Sequence, residues 1–189
     1  MPDEIIEMSV ECRRSEMPAL PMTLLERGFA LRAEADADID FLRRLYASTR
    51  SEELAMTAWS DAEKQAFCDI QFQLQRHHYR TYYPETDWWV LEEHGVPAGR
   101  LYLDRQTNTL LVIDIALLPQ WRGRGVGTEL MLWICAQARA AGKSVTIAVE
   151  KFNRAQTLYR RLGFRETSDA EVYWFMEWRS PADSPAPIS

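Results

Sequence analysis

The stretch that decides the fold is LVIDIALLPQWRGRGVGT, which spans residues 111–128. It begins as a strongly apolar strand, continues through three glycines at alternate positions, and passes directly into an apolar helix. Glycine tolerates positive φ and carries no Cβ, so such a turn lets a ligand approach the main chain closely. The first amides of the following helix have no partners within the helix, and the helix dipole is positive there. The turn therefore predicts a binding site for a phosphate or pyrophosphate group.

Three other interpretations of the glycine turn compete with this one. A purely structural tight turn needs no ligand, and the residues alone leave it open. A dinucleotide-binding fingerprint needs G-x-G-x-x-G after the first strand of a βαβ unit, whereas this chain has G-x-G-x-G after a predicted hairpin. A Walker A loop needs Gly-Lys-Ser or Gly-Lys-Thr, which the sequence lacks. The pattern therefore disfavours both nucleotide motifs.

The composition is that of one soluble domain. The chain has 189 residues, of which 47% are hydrophobic and 26% charged, and its formal net charge is −6. An acidic chain without a basic cluster lacks the charge pattern that phosphate-backbone binding requires, so we expect no nucleic-acid partner. The apolar runs are too short to span a bilayer, and the N-terminus has no signal-peptide core. We therefore expect no membrane association.

The cysteines and histidines point away from a disulfide framework and from a metal centre. Cys12, Cys68 and Cys135 are odd in number and widely scattered, which favours a reducing compartment and a cytoplasmic location. The three histidines form no metal-ligand spacing, so we expect no bound metal.

Hydrophobic periodicity predicts the element order β-α-α-β-β-β-α-β-α-β-β, which implies a mixed α/β sheet with helices on both faces. Asp36 or Asp38 is expected to cap the first helix, and the residues from Arg50 to about Ser60 to form a loop. The apolar stripe of that helix is Ile39, Leu42, Leu45 and Tyr46.

Ser60 and Glu63 form a capping box for a second helix. Its expected buried stripe is Phe67, Ile70 and Leu74. After the next strand, residues 94–99 are expected to form a turn that leads into a returning hairpin strand.

The two ends differ from the middle of the chain. We expect an N-terminal extension over residues 1–26, one domain over 27–179, and a flexible tail over 180–189. Three of the nine prolines lie in the last ten residues, which is typical of a disordered tail.

At the glycine turn the chain resembles the GNAT superfamily of acyl-CoA-dependent N-acetyltransferases. The family motif [QR]-x-x-G-x-[GA] matches residues 122–127, and Gln120 satisfies the same pattern one frame earlier. Downstream, NRAQTLYRRLGF at residues 153–164 is similar to the second cofactor segment of the family. The resemblance covers residues 27–178. It implies a GNAT-type mixed, mostly antiparallel sheet, with a splayed central strand pair that holds acetyl-CoA as co-substrate.

The resemblance also assigns residues to the cofactor. The main chain at Ile115 and Leu117 would pair with the pantetheine arm, and the amides of residues 123–128 would hold the pyrophosphate. The full set of cofactor-binding residues that it implies is Ile115, Leu117, Arg122, Gly123, Arg124, Gly125, Val126, Gly127, Thr128, Asn153 and Tyr159.

The chemistry of amine acetylation suggests catalytic residues. A phenol, with a pKa near 10, is a suitable proton donor to a leaving thiolate whose conjugate acid has a pKa near 8.5, so Tyr159 is the candidate general acid; packing in its helix is the alternative. Asp114, in an otherwise apolar strand, is either a base acting through water or a hydrogen-bonded residue at a bulge. Glu150 is the second candidate base, and a water chain alone is a third option. A covalent intermediate on Cys68 or Cys135 has no positional support.

The resulting expectation is a cytoplasmic enzyme that transfers acetyl from acetyl-CoA to an amine, by direct attack in a ternary complex. The acceptor is a small-molecule or peptide amine. We expect its pocket near Glu52, Glu53 and Trp59, or along residues 71–83. Two alternatives are a non-catalytic acyl-CoA-binding module and an acyltransferase with a longer acyl donor. The Trp-rich strand at residues 173–178 fits either the core or pairing with a second copy in a homodimer.

Overall fold

The computed structural model describes residues 19–180. The strands are β1 (Phe29–Ala33), β2 (Asp87–Glu93), β3 (Val96–Arg105), β4 (Thr109–Leu117), β5 (Ser144–Glu150), β6 (Arg165–Asp169) and β7 (Tyr173–Trp178). The helices are α1 (Met22–Leu25), α2 (Ile39–Ala55), α3 (Asp61–Tyr82), α4 (Val126–Ala140) and α5 (Ala155–Arg161), with 3-10 turns at Asp36–Asp38 and Pro119–Trp121. Apart from α1, this is the predicted order of elements.

One sheet of seven strands carries the fold, in the order β1-β2-β3-β4-β5-β7-β6. Its neighbouring strands are antiparallel except for β4 and β5, which pair in parallel. The mixed, mostly antiparallel sheet predicted from the sequence is therefore confirmed.

Strands β4 and β5 separate half-way along their length. They pair from Thr109 with Ser144 to Val112 with Ile147, and both then continue without pairing to each other. The register between β3 and β4 shifts at this point, because Ile113 is an extra residue in β4. A bulge bends its strand and increases the local twist. The splayed strand pair predicted at the centre of the sheet is thus present, and it begins at the bulge.

Helices cover both faces of the sheet. On the first face, α1, α4 and α5 pack on an apolar core that includes Leu24, Leu101, Leu130 and Phe164. On the second face, α2 and α3 enclose a smaller apolar cluster with Val90 of β2 at its base. Each helix is held mainly by the apolar area that it removes from water.

Helix α2 is longer than predicted. It continues to Ala55, so residues 50–55 are helical and the connection to α3 is reduced to residues 56–60. Leu54 is buried in the second-face cluster, and that contact extends the helix through the polar residues before it. Of the predicted stripe, Leu42, Leu45 and Tyr46 are buried, whereas Ile39 stays 36% exposed at the rim.

The capping box of α3 is confirmed, but its predicted buried stripe is wrong. The Glu63 amide donates to Ser60 Oγ, and the Ser60 amide donates to Glu63 Oε2. Ile70 and Leu74 are each 58% exposed and Phe67 is only partly buried, whereas Cys68 and Phe72 are the buried residues of this helix.

The β2–β3 turn is shorter than predicted. Strand β3 begins at Val96, so only His94 and Gly95 form the turn, with φ of 50° and 77°. Two successive positive φ values define a tight type I′ hairpin. Gly99 lies within β3. Only glycine fits there, because an added Cβ would come 2.4 Å from the carbonyl oxygen of Ala116 on β4. Gly99 is therefore required by the close approach of β3 to β4 and not by a turn.

The predicted domain boundaries remain predictions. Leu20 and Leu24 belong to the first-face core, so residues just before position 27 pack against the domain. Residues 1–18 of the predicted extension and 181–189 of the predicted tail lie outside the described residues. Within residues 19–180, no helix combines the length and apolar character needed to cross a membrane.

Candidate functional site

The glycine turn connects the free end of β4 to α4. Gly123 and Gly125 have φ of 70° and 82°, and Gly125 is the N-cap of α4. A Cβ built at Gly123 or Gly127 would meet nothing within 4 Å, so the outer side of the turn is open. The amides of the first helical turn face this open side without intrahelical partners. The turn therefore leaves backbone donors accessible at the position where the sequence predicts an anion site.

The carboxylate of Glu129, in the first turn of α4, is neutralised by Arg27, which precedes β1 in the chain. Glu129 accepts a hydrogen bond from Arg27 Nη1 at 2.6 Å and another from Thr23 Oγ1. Arg27 also donates to the carbonyl oxygen of Arg124 in the glycine turn at 3.1 Å. The pairing matters because an unpaired carboxylate at this helix terminus would repel an anion.

The two arginines predicted to contact the cofactor have protein partners. Arg124 pairs with Glu93 at 2.9 Å. Arg122 Nε donates to the carbonyl oxygen of Leu117 at 2.7 Å, and its Nη2 donates to Ser48 Oγ of α2 at 2.8 Å. A third arginine, which sequence reasoning missed, is Arg161 of α5, whose Nη2 lies 3.5 Å from Thr128 Oγ1 in the first turn of α4. Its place two residues after Tyr159, in the segment 153–164 that resembles the second cofactor segment of the GNAT family, was the available signal.

Ile115 and Leu117 lie on the unpaired half of β4, as predicted. On one side they pair with Leu101 and Gly99 of β3. On the side of β5 the strands have separated. The main chain of residues 113–117 is thus an open strand edge, next to the glycine turn that follows it.

Asn153 and Tyr159 have different surroundings. The Asn153 side chain accepts a hydrogen bond from the Ala155 amide at 2.9 Å, which forms an Asx turn just before α5. Tyr159 is 4% exposed, and its ring packs 5.8 Å from that of Phe164. Burial and the nearby Asp114 carboxylate raise the pKa of Tyr159, so its phenol stays protonated. Its hydroxyl forms no hydrogen bond with any other residue of the described range.

Asp114 forms a buried ion pair beside the bulge. Arg100 of β3 donates to both carboxylate oxygens, at 3.1 and 2.6 Å, and Tyr79 of α3 donates to Oδ2 at 3.2 Å. Arg100 is 3% exposed; burial would lower its pKa, but Asp114 outweighs that effect and raises the pKa above its ordinary value. Of the two interpretations of Asp114 from the sequence, this geometry favours the hydrogen-bonded residue at a bulge.

Glu150, the second candidate base, also has an arginine partner. Arg50 of α2 donates to Oε1 at 3.1 Å and to Oε2 at 3.3 Å. The side chain of Glu150 is 32% exposed and that of Asp114 is 12% exposed. Glu150 is therefore the more accessible of the two carboxylates.

The inward face of α3 is polar near the splay, and pattern reasoning missed its partners on the sheet. Arg100 also donates to Gln75 at 2.9 Å. Farther along α3, Arg76 and Arg80 donate hydrogen bonds to the carboxylate of Glu34, which follows β1. The same carboxylate accepts a hydrogen bond from Tyr102 of β3. Burial raises the pKa of Glu34, but these donors outweigh that effect and the pKa is lowered overall. The available signal was a charged residue inside each of two largely apolar strands, Arg100 in β3 and Asp114 in β4.

The other predicted candidates are distributed as follows. Trp59 packs edge-on against Phe67 at 5.3 Å, and Glu52 is exposed beside Arg154. Cys68 and Cys135 are buried free thiols, and burial raises the pKa of Cys135 to about 12. Neither thiol has the lowered pKa of a nucleophile. In residues 19–180, no group of three or more potential metal ligands comes together.

The sequence and the fold were compared with known proteins. Residues 84–166 match the profile of the acetyltransferase (GNAT) domain. The fold is similar to the PaiA N-acetyltransferase of Thermoplasma acidophilum, whose structure contains coenzyme A (TM-score 0.61, 14% identity, 80% of this chain and 99% of that one). It is also similar to acetyltransferases from Thermus thermophilus (0.57, 16%, 79% and 96%) and Streptococcus agalactiae (0.56, 17%, 80% and 98%).

The mixed sheet of this chain, with one parallel pair and helices on both faces, thus has the same fold as these structures. The profile match runs from just before β2 to the start of β6 and includes the glycine turn. Over these residues the chain is similar to the GNAT acetyltransferase domain, and the match supports membership of the GNAT superfamily.

Replacing Asp114 by Asn tests its structural role. The change leaves the buried Arg100 without its counter-charge, so we expect the free energy of unfolding to fall by about 3 kcal/mol. Urea denaturation at pH 7 measures it. The matched control is Glu150→Gln, whose partner Arg50 has a side chain 24% exposed; we expect it to lose less than about 1 kcal/mol. Equal losses in the two variants would contradict the assignment.

Proposed function

We propose that this protein transfers the acetyl group of acetyl-CoA to a primary amine, by direct attack of the amine within a ternary complex. One observation carries the proposal: the open edge of β4 leads directly into the open glycine turn at the start of α4. The two features lie in the order that a pantetheine arm and a pyrophosphate require. Acetyl-CoA supplies the activated acetyl thioester.

The chain offers suitable groups to each part of acetyl-CoA. The amides of the first α4 turn, with the guanidinium of Arg161 beside them, suit the pyrophosphate charge. The main chain at Ile115 and Leu117 can pair with the pantetheine amides as a strand would. Arg122 donates to the Leu117 carbonyl oxygen, and that oxygen has a second lone pair with which it can accept from the cofactor.

Tyr159 is the proposed proton donor to the departing sulfur. Its ring is fixed in the first-face core, and its hydroxyl is free of partners among the described residues. The raised pKa keeps the phenol protonated at neutral pH. A positioned donor of this kind stabilises developing negative charge on the sulfur.

The proton of the amine leaves through water in this proposal. Asp114 and Glu150 each already accept hydrogen bonds from an arginine on both carboxylate oxygens, so neither carboxylate is free of a protein partner. Of the two, Glu150 is better placed to receive the proton from water, because more of its side chain is exposed.

Two alternatives remain, namely a non-catalytic acyl-CoA-binding module and a transferase for a longer acyl group. The free Tyr159 hydroxyl favours catalysis, since a sensing module does not need a proton donor. The proposed location is the cytoplasm, because Cys68 and Cys135 are unpaired thiols, as a reducing compartment would keep them.

Acetyl-CoA turnover tests the proposal. Release of free thiol should be measured against a panel of primary amines, with succinyl-CoA as the competing donor. We expect turnover with acetyl-CoA and at least one amine. Firm CoA binding without turnover on the whole panel would support the sensing module, and preference for succinyl-CoA would support the longer-acyl enzyme.

Replacing Gly125 by Ala tests the pyrophosphate site. The added Cβ blocks the approach to the amides, so we expect CoA affinity, measured by calorimetry, to fall by at least about tenfold. Gly95→Ala is the matched control, because Gly95 has nearly the same φ, 77° against 82°, in the β2–β3 hairpin. Both variants carry the same backbone strain of about 1–2 kcal/mol, but only Gly125→Ala should lose CoA. Equal affinities would refute the site.

Tyr159→Phe tests the proton donor. We expect kcat to fall by about 100-fold, since this is the usual contribution of a positioned acid, while CoA affinity changes less than about twofold. Val96→Thr, at a residue of the β2–β3 hairpin that is 53% exposed, serves as the control and should keep the parental rate. A Tyr159→Phe enzyme with unchanged kcat would remove Tyr159 from the reaction.

A further inference from the structure

The second face of β7 presents an aromatic surface to solvent. Residues along this strand alternate: Met176 and Trp178 lie in the first-face core, whereas Tyr173 and Phe175 point the other way and are 41% and 44% exposed. We call Tyr173 and Phe175 the aromatic wall. Two exposed rings at neighbouring outward positions of one strand form a contiguous apolar patch, and contiguous patches, unlike isolated exposed residues, mark interaction sites.

The aromatic wall is continuous with the proposed transfer site. Tyr173 and Phe175 pair with Glu150 and Ala148 at the end of β5 that has separated from β4. On the opposite strand of the splay, Tyr79 donates to Asp114, which lies two residues beyond Val112, the last residue of β4 that pairs with β5. The wall and the Tyr79–Asp114 pair therefore border one region at the mouth of the splay.

The two carboxylates that line this mouth each contact an arginine. Asp114 is paired with Arg100, and Glu150 is paired with Arg50, which also contacts Glu53 at 3.4 Å. A polyamine or another multiply charged acceptor needs additional unpaired carboxylates to replace the water around each ammonium group. Rings, by contrast, gain from the removal of apolar area from water.

From these observations, and resting on the proposed function, we propose that the acceptor is a monoamine with an aryl or alkyl body. The body lies against Tyr173 and Phe175, and the amine nitrogen donates a hydrogen bond to the hydroxyl oxygen of Tyr79. Tyr79 acts as a positioning residue, since its own hydrogen is committed to Asp114 at 3.2 Å.

The hydrogen-bond inventory of Tyr79 supports this role. A phenol donates one hydrogen bond and can accept others. Donation to a carboxylate makes the oxygen a stronger acceptor, because hydrogen bonds in a chain polarise one another. The raised pKa of Tyr79 keeps this arrangement unchanged across the neutral range. The ion pair of Asp114 with Arg100 thus sets the direction in which the Tyr79 hydroxyl points.

The test compares two amines of similar length on the full-length chain, 2-phenylethylamine and 1,4-diaminobutane. We expect kcat/KM to favour 2-phenylethylamine by at least about tenfold. Phe175→Ser should raise KM for 2-phenylethylamine by about tenfold, with kcat and CoA affinity unchanged. Phe175→Leu should restore most of the loss because it keeps apolar area. Leu132→Ser, on α4 and 52% exposed, should leave KM unchanged.

Tyr79→Phe provides the second variant. It keeps the ring and removes the acceptor oxygen, so we expect a higher KM for 2-phenylethylamine with unchanged CoA affinity. A merely structural role would instead lower the melting temperature and leave KM intact.

Three results would overturn the inference while leaving the proposed function standing. These are preference for 1,4-diaminobutane, an unchanged KM in Phe175→Ser, or a change from dimer to monomer in Phe175→Ser during sedimentation. The last result would assign the aromatic wall to a second copy of the chain. If no amine is turned over, the proposed function fails by itself, and calorimetry of 2-phenylethylamine binding to wild type and Phe175→Ser decides the inference.

Discussion

The separation of β4 from β5 is the constraint on which the rest of the molecule depends. A parallel pair that continued to the strand ends would satisfy the main chain of residues 113–117 internally and leave nothing for a ligand. Ile113 prevents this as the extra residue of a bulge. The neighbouring ion pair of Arg100 and Asp114 joins β3 to β4 on the other side of the bulge. The strand is thus held on one edge and open on the other.

The sheet separates two kinds of interior. Its first face is an apolar core under α1, α4 and α5, which fixes Tyr159 and the start of the glycine turn. Its second face is partly polar, with Glu34 and Asp114 each hydrogen-bonded to arginine and tyrosine side chains. Buried charges add little net stability, but each demands one arrangement of its partners. The second face therefore fixes the orientation of its polar side chains, whereas the first face supplies most of the stability of the fold.

The polar second face also explains where pattern reasoning went wrong on α3. An apolar stripe was expected to face inward, yet Ile70 and Leu74 are exposed while Gln75 and Tyr79 meet the sheet. The rule that apolar residues face the core presumes an apolar core. It succeeded for the middle of α2, where Leu42 and Leu45 contact such a cluster. On α3 only Cys68 and Phe72 contact that cluster, and the rest of the inward face is polar and covers an ion pair.

By itself, the sequence determined what depends on neighbours in the chain. The element order, the capping box at Ser60, the positive-φ glycines at 123 and 125, and the GNAT motif are all local patterns. Only the tertiary structure decided which arginine meets which carboxylate, because Arg100 and Asp114 lie on different strands and Arg50 and Glu150 are a hundred residues apart. The same holds for the surroundings of Tyr79 and Tyr173, which come from α3 and β7. Pairing across the sheet depends on strand register, and in β4 a single bulged residue sets that register.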